Sequence, residues 1–127
     1  MSENRFTVLL VDDTPANIHI LVNILSEYRT KIATNGEAAL KLAARQPPPD
    51  VILLDVLMPG MDGYEVCRQL KASPATASIP VVFVTGTADQ DDVTKGTSLG
   101  AEGFLMKPLD PAAVIETVRR TIRAPLS

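Results

Sequence analysis

The segment Val51-Ile-Leu-Leu-Asp55 constrains the fold more than any other part of the chain. Four apolar residues in succession, rich in branched side chains, are typical of a strand buried on both faces, as in a parallel sheet. Aspartate is a poor strand residue and is costly to bury, so we expect Asp55 at the carboxyl end of the strand, facing a crevice. The turn-rich stretch 58–63 would then return the chain into a helix. Ligands bind at such strand ends in open α/β sheets, but a lone aspartate could equally cap a helix.

The length and composition predict one ordinary globular domain, residues 1–127. Hydrophobic residues make up 46% of the chain and the formal net charge is −3, a balance that predicts no direct nucleic-acid partner. The single cysteine, Cys67, excludes an internal disulfide and indicates a reducing compartment. No apolar run approaches the ~20 residues that a membrane-spanning helix needs. We therefore expect a cytoplasmic location and no membrane contact.

Five short apolar runs alternate with five segments of helical periodicity. The predicted strands are 6–11, 30–33, 51–55, 79–84 and 103–106, and the predicted helices are 15–25, 37–45, 64–72, 89–99 and 111–122. Alternation of this kind requires right-handed crossovers and a parallel sheet covered on both faces. The predicted fold is α/β, a flavodoxin-like doubly wound three-layer sandwich with a five-stranded parallel sheet and five helices.

The fourth helix is the most weakly specified of the five. It contains Gly96 in its interior, and its inward stripe offers little beyond Val93 and Leu99. The first helix, in contrast, presents a full apolar stripe, with His19 off that stripe and facing solvent. We expect the fourth helix to be the element that is most easily displaced.

Polar side chains follow four of the predicted strands. Asp12 and Asp13 follow the first, Asp55 ends the third, Thr85 follows the fourth and Lys107 follows the fifth. Because the carboxyl ends of parallel strands share one edge, these groups can converge on one crevice. Clustered carboxylates repel one another, and a hard divalent cation such as Mg²⁺ resolves the conflict. A hydroxyl and an ammonium beside them suit an arriving oxyanion, so the set describes a site for phosphoryl transfer.

With these residues in this order, the chain resembles the receiver domains of two-component response regulators over essentially its full length. The resemblance implies that Asp55 is the phosphoacceptor, taking its phosphoryl group from a histidine kinase, a phosphotransfer protein or a small phosphodonor. It also implies that Mg²⁺ is bound by Asp13, Asp55 and the backbone carbonyl of Leu57, with Asp12 helping through water. The matching motifs are Val11-Asp12-Asp13, Leu54-Asp55, Met58-Pro59-Gly60-Met61-Asp62-Gly63, Thr85-Gly86 and Lys107-Pro108.

The same resemblance implies a switch. Thr85 and Lys107 would contact the phosphoryl group, Lys107-Pro108 would be a cis peptide, and Phe104 would be the switch aromatic. Phosphorylation would then repack the surface formed by the fourth helix, the fifth strand and the fifth helix. That surface would control an output domain or a downstream protein, and could also form a homodimer. The domain would not be an enzyme beyond its own phosphorylation and dephosphorylation.

Two alternative functions lack residues that they require. An aspartate-nucleophile phosphatase of the haloacid dehalogenase type needs a second acid two residues after the nucleophile, where this chain has Leu57. A flavin-binding flavodoxin relative needs a hydroxyl-rich phosphate loop after the first strand, where this chain has two acids. The stretches 13–18 and 62–67 are similar to receivers attached to cyclic-dinucleotide enzymes or hybrid kinases.

Overall fold

The structure, a computed structural model, describes residues 6–86 and 90–123. Strands and helices alternate throughout this part of the chain, as the sequence predicts. The strands are β1 (Thr7–Val11), β2 (Arg29–Ala33), β3 (Val51–Asp55), β4 (Val81–Thr85) and β5 (Gly103–Met106). The helices are α1 (Pro15–Ile24), α2 (Gly36–Ala43), α3 (Gly63–Ala72), α4 (Gln90–Ser98) and α5 (Pro111–Arg123).

The five strands form one parallel sheet in the order β2-β1-β3-β4-β5. This is the strand order of the flavodoxin-like fold, so the predicted fold class is confirmed. The central strands β3 and β4 are buried along their whole length, whereas β2 and β5 lie at the two edges and are partly exposed. The apolar run that ends in Asp55 therefore lies at the middle of the sheet.

Alternate residues of each strand face opposite sides of the sheet and build two separate apolar clusters. On the first side, Ile52, Leu54 and Phe83 pack with buried residues of α2 and α3. On the second side, Val51 and Leu53 pack with buried residues of α1 and α5. The sheet thus divides the core into an α2–α3 side, against which Leu99 also packs directly after the end of α4, and an α1–α5 side.

Local signals explain most helix starts. Pro15 is at the start of α1, although the Thr14 side chain makes no capping hydrogen bond. The side chains of Asn35 and Asp62 cap α2 and α3 by accepting the backbone N–H of Ala38 (2.8 Å) and Glu65 (2.9 Å). The caps place each glycine that follows, Gly36 and Gly63, inside the helix, one residue earlier than predicted.

Other boundaries also moved. The strand predicted from residue 79 begins at Val81, because Pro80 has no N–H to donate and only its carbonyl joins the ladder, accepting from Ile52 at 2.9 Å. The helix predicted to reach residue 45 ends at Ala43. The prediction that the fourth helix begins at Asp89 falls outside the described residues. His19 is exposed and Cys67 is buried, as expected. No helix among the described residues is long and apolar enough to cross a membrane.

Candidate functional site

The predicted site residues of β1, β3, β4 and β5 meet at one edge of the sheet. The strand register pairs Val11 with Leu54, Asp55 with Val84, and Thr85 with Met106. Asp12 directly follows Val11, and Lys107 directly follows Met106. The parallel arrangement therefore brings the acids, the hydroxyl and the ammonium to a common crevice.

Three carboxylates converge in this crevice. Asp12, Asp13 and Asp55 each offer one carboxylate oxygen, and these oxygens lie within 4.8 Å of one another. Asp12 and Asp55 are almost completely buried, with 1% and 4% of their surfaces exposed. Burial of like charges at this spacing is unfavourable unless a cation lies among them.

Asp12 carries the clearest sign of a further partner. Its Oδ1 accepts the backbone N–H of Thr14 at 2.8 Å, which fixes the side chain over the start of α1. Its Oδ2 is buried and accepts no hydrogen bond from the described residues. A hard cation or a water bound to one would satisfy this oxygen, so the donor set fits Mg²⁺.

Lys107 places a positive charge beside two of these carboxylates. Its Nζ donates to Asp55 Oδ1 at 3.2 Å and lies 3.9 Å from Asp12 Oδ2. The Lys107 backbone N–H donates to the Thr85 carbonyl at 2.9 Å, which holds the end of β5 against the end of β4. The Lys107–Pro108 peptide bond is cis, as expected.

Burial raises the pKa of Asp55 above its ordinary value of 3.8, and the Asp12 carboxylate raises it further. The hydrogen bond and the charge of Lys107 oppose this by favouring the ionised form, and Asp13 adds a smaller upward effect to the pKa of Asp55. Additional positive charge beside Asp55 would favour the ionised form of its carboxyl group.

The predicted switch residues are close to this crevice but play different parts in the packing. Thr85 is buried at the end of β4. Phe104 pairs in register with Phe83, and their ring centroids are 5.8 Å apart. Leu57 follows Asp55 by two residues and is 77% exposed. The role of its backbone carbonyl as a metal ligand stays a prediction.

Three residues have packing roles that the sequence did not reveal. A Cβ added to Gly63 would lie 2.3 Å from the Asp55 carbonyl oxygen, so only glycine lets α3 begin so close to β3. A Cβ on Gly96 would lie 2.5 Å from Phe104 Cζ. Tyr64 packs on Phe83, with ring centroids 5.2 Å apart. The Asp62-Gly63 pair indicated a turn, but no sequence signal specified these contacts.

Residues 8–119 match the sequence profile of the response regulator receiver domain. The chain is 45% identical over 118 residues to the response regulator PleD of Caulobacter vibrioides, covering 91% of this chain and 26% of PleD. It is also 45% identical over 107 residues to a probable cyclic di-GMP phosphodiesterase of Vibrio cholerae, covering 84% of this chain and 24% of that protein. The chain thus spans about a quarter of the length of these two relatives.

A third relative is similar along nearly its whole length. Protein PilH of Pseudomonas aeruginosa is 35% identical over 117 residues, which cover 91% of this chain and 96% of PilH. The relatives also include MtrA of Mycolicibacterium smegmatis, a DNA-binding response regulator that is 36% identical and of which the chain covers 53%. The expectation that nucleic acid is not a partner is therefore not supported.

A solved structure with the same fold is the receiver domain of the sensor histidine kinase PA1611 from Pseudomonas aeruginosa. It superposes with a TM-score of 0.83 at 30% identity, covering 92% of this chain and 97% of that one. That domain was crystallised with a magnesium ion coordinated in its active-site cleft. The matches support neither the haloacid dehalogenase phosphatase nor the flavodoxin alternative.

Proposed function

This chain belongs to the response regulator receiver family and acts in phosphorylation-controlled signalling, and within that function we propose that Asp55 is the residue that accepts the phosphoryl group. The observation that carries the proposal is the convergence on Asp55. The Asp12 and Asp13 carboxylates lie within 4.8 Å of it, and the Lys107 ammonium lies 3.2 Å from its Oδ1. Asp55 is the member of this set on the central strand and the one to which the lysine donates a hydrogen bond.

The chemistry assigned to Asp55 is nucleophilic attack. A carboxylate oxygen forms a bond to phosphorus as the bond from phosphorus to the imidazole nitrogen of a partner's phosphohistidine breaks, and the imidazole keeps the electron pair. Lys107 stabilises the charge that builds on the phosphoryl oxygens. A small phosphodonor such as acetyl phosphate can replace the phosphohistidine, with acetate as the leaving group.

Mg²⁺ would be held by Asp13, Asp55 and the Leu57 carbonyl, with Asp12 acting through water. When bound, it would neutralise negative charge on the phosphoryl group and the acids. The buried Oδ2 of Asp12, which accepts no hydrogen bond from the described residues, supports this assignment. The magnesium ion in the PA1611 receiver domain supports it by similarity.

The switch is assigned to Thr85 and Phe104. Thr85 ends β4 beside Asp55, so its hydroxyl can donate to an oxygen of a phosphorylated Asp55. Movement of Thr85 would change the space beside Phe104, whose ring already contacts α4 at Gly96. The affected surface is formed by α4, β5 and α5, on which the Met106 side chain is 49% exposed. An output domain, a downstream protein or a second copy of the chain would bind there.

The remaining proposals concern the domain as a whole. We place residues 1–127 in a single receiver domain, located in the cytoplasm, that is phosphorylated by a histidine kinase or a phosphotransfer protein. The domain itself would not turn over a separate substrate, although relatives of this chain carry further sequence beyond the matched quarter.

Intact-mass measurement after incubation with acetyl phosphate and Mg²⁺ tests the phosphoacceptor. We expect the mass of one phosphoryl group on the wild type and none on Asp55→Asn. Asp62→Asn is the matched control, because it removes one acid from the connection that follows β3 while asparagine still caps α3. Equal labelling of Asp55→Asn and wild type would show that another group is modified.

A further inference from the structure

Tyr64 connects α3 to α4 through two contacts, and a third contact holds its ring on β4. Its hydroxyl donates to Asp92 Oδ1 at 3.3 Å, and the Lys95 ammonium lies 4.3 Å from the centre of its ring. The same ring packs on the buried Phe83 with centroids 5.2 Å apart. Asp92 and Lys95 are three residues apart on α4 and therefore lie on the same face of that helix.

The α3 end of this connection is fixed to the phosphoacceptor strand. Gly63, the residue before Tyr64, donates its N–H to the Val56 carbonyl at 2.9 Å. Its α carbon is so close to β3 that a Cβ would lie 2.3 Å from the Asp55 carbonyl oxygen. Tyr64 is thus carried by backbone that packs directly on β3, and it cannot follow a displacement of α4.

The α4 end buries few of its described side chains. Among the described side-chain positions of α4, Asp91 to Ser98, only Gly96 is buried. The contacts with Tyr64 therefore restrain a helix that buries little side-chain surface of its own. The hydroxyl–carboxylate distance of 3.3 Å is longer than usual for a hydrogen bond. The contact of Lys95 with the Tyr64 ring is also modest in energy, so the helix can still be released.

We propose that Tyr64 is a positioning residue that holds α4 in the position seen here, where Asp55 is a free carboxylate paired with Lys107. The proposal rests on the function assigned to Asp55 and adds a restraint separate from Thr85 and Phe104. Any movement of α4 relative to α3 breaks the contacts of Tyr64 with Asp92 and Lys95. The restraint therefore opposes the rearrangement that phosphorylation favours, and its loss should make a phosphate mimic bind more tightly.

The variant Tyr64→Phe tests this, because it keeps the ring on Phe83 and removes only the hydroxyl. Without Mg²⁺ or mimic, the amides of α4 should exchange about 3- to 10-fold faster with solvent than in wild type, the factor expected from loss of one ordinary hydrogen bond. In a beryllofluoride titration at fixed Mg²⁺, followed by the amide resonance of Gly86, half-saturation should occur at a concentration lower by a similar factor. Tyr28→Phe, which alters the other tyrosine on the α1–α5 side, is the matched control and should change neither quantity.

A double-mutant cycle locates the effect. Asp92→Ala should also lower the half-saturating beryllofluoride concentration, and combining it with Tyr64→Phe should add little. Unchanged exchange in Tyr64→Phe would overturn the restraint. Faster exchange with unchanged or weaker beryllofluoride binding would reduce Tyr64 to a structural residue and overturn its role in switching. A wild type that binds no beryllofluoride would overturn the function assigned to Asp55, while the exchange rates would still report on the contact.

Discussion

Burial and the neighbouring carboxylate of Asp12 raise the pKa of Asp55, while Lys107 acts in the opposite direction. The native state then binds this proton more tightly than the unfolded chain does. Between the ordinary value of 3.8 and the higher native pKa, the folded protein therefore loses stability as pH rises. Above that window the full cost of an ionised Asp55 is present, and below 3.8 it is absent.

We predict that Asp55→Asn raises the melting temperature in metal-free buffer at neutral pH, since asparagine carries no buried charge. The difference from wild type should shrink as the pH is lowered to about 3.8 and below. Thermal melts in EDTA across this range measure it. Asp62→Asn removes an exposed charge from the connection after β3. Its difference in melting temperature from wild type should not depend on pH in this way. A wild type that is more stable than Asp55→Asn at neutral pH would mean that the pairing with Lys107 outweighs burial.

Gly96 is unfavourable by helix propensity but is favoured by the packing around it. In the sequence it is a helix-interior glycine that costs about 1 kcal/mol relative to alanine. In the structure it is buried, and a Cβ would lie 2.5 Å from Phe104 Cζ and 3.1 Å from Phe83 Cδ2. The glycine is required by packing across elements, which local sequence does not report.

Gly96→Ala should therefore destabilise the protein by about 1–3 kcal/mol, because overpacking outweighs the gain in helix propensity. In a Phe104→Ala background the closer ring is absent and only Phe83 remains near the added Cβ, so the same substitution should cost at least about 1 kcal/mol less than in wild type. Urea denaturation of the four proteins gives both values. An equal cost in both backgrounds would show that the contact with Phe104 does not decide the effect.

At the scale of elements, α4 differs from the other helices in what it buries. Its described side chains include no large buried residue, whereas α1 buries Ile18 and Leu21, and Leu25 follows in its cap. Asp91 and Asp92 in its first turn favour the helix dipole and offset part of this deficit. The contacts of Tyr64 and the close approach of Gly96 to Phe104 add restraint that the sequence did not suggest.

Hydrogen exchange should still rank α4 as the less stable helix. Each fully buried aliphatic side chain contributes about 1.5–3 kcal/mol, so amides in Val93–Leu99 should exchange at least about tenfold faster than those in Ile18–Leu25. The same amides should change most when beryllofluoride and Mg²⁺ are added. Equal protection in the two helices, with no response to the mimic, would locate the switching element elsewhere.

The interiors of the strands and helices were predictable because apolar periodicity follows directly from burial, as in β3 with its unbroken run from Val51. Their ends were less predictable. Pro80 shortened β4, and the caps Asn35 and Asp62 drew a glycine into each following helix. The convergence of the three acids and Lys107 could be predicted, because each of them ends or follows a strand of the parallel sheet. The distances within the site could not, because the reach of Lys107 to Asp55 depends on side-chain geometry that no pattern encodes.

At the scale of the whole molecule, a cation among Asp12, Asp13 and Asp55 would stabilise the folded state, because the unfolded chain has no such cluster. Magnesium at a hundred times its dissociation constant should raise the free energy of unfolding by about 2.7 kcal/mol. Asp13→Ala should weaken this response and, by easing repulsion, raise or leave unchanged the stability without metal. Thermal melts of wild type and Asp13→Ala, each with Mg²⁺ and with EDTA, measure the response of both proteins.

The matched control for this measurement is Asp62→Asn, which removes a nearby charge outside the cluster and should keep the full response to Mg²⁺. A response in Asp13→Ala equal to that of wild type would place the ion elsewhere on the protein.

The division of the core by the sheet also bears on how such a domain can diversify. Residues of the α2–α3 side and the α1–α5 side form separate clusters, so most substitutions on one side have no neighbour on the other and their effects should combine additively. One face can then acquire a new binding partner through successive changes without compensating changes in the other. The two-sided core thus lets the α2–α3 face and the α1–α5 face evolve, or be redesigned, separately around one unchanged chemical centre, while the surface of α4, β5 and α5 joins the two sides at one edge of the sheet.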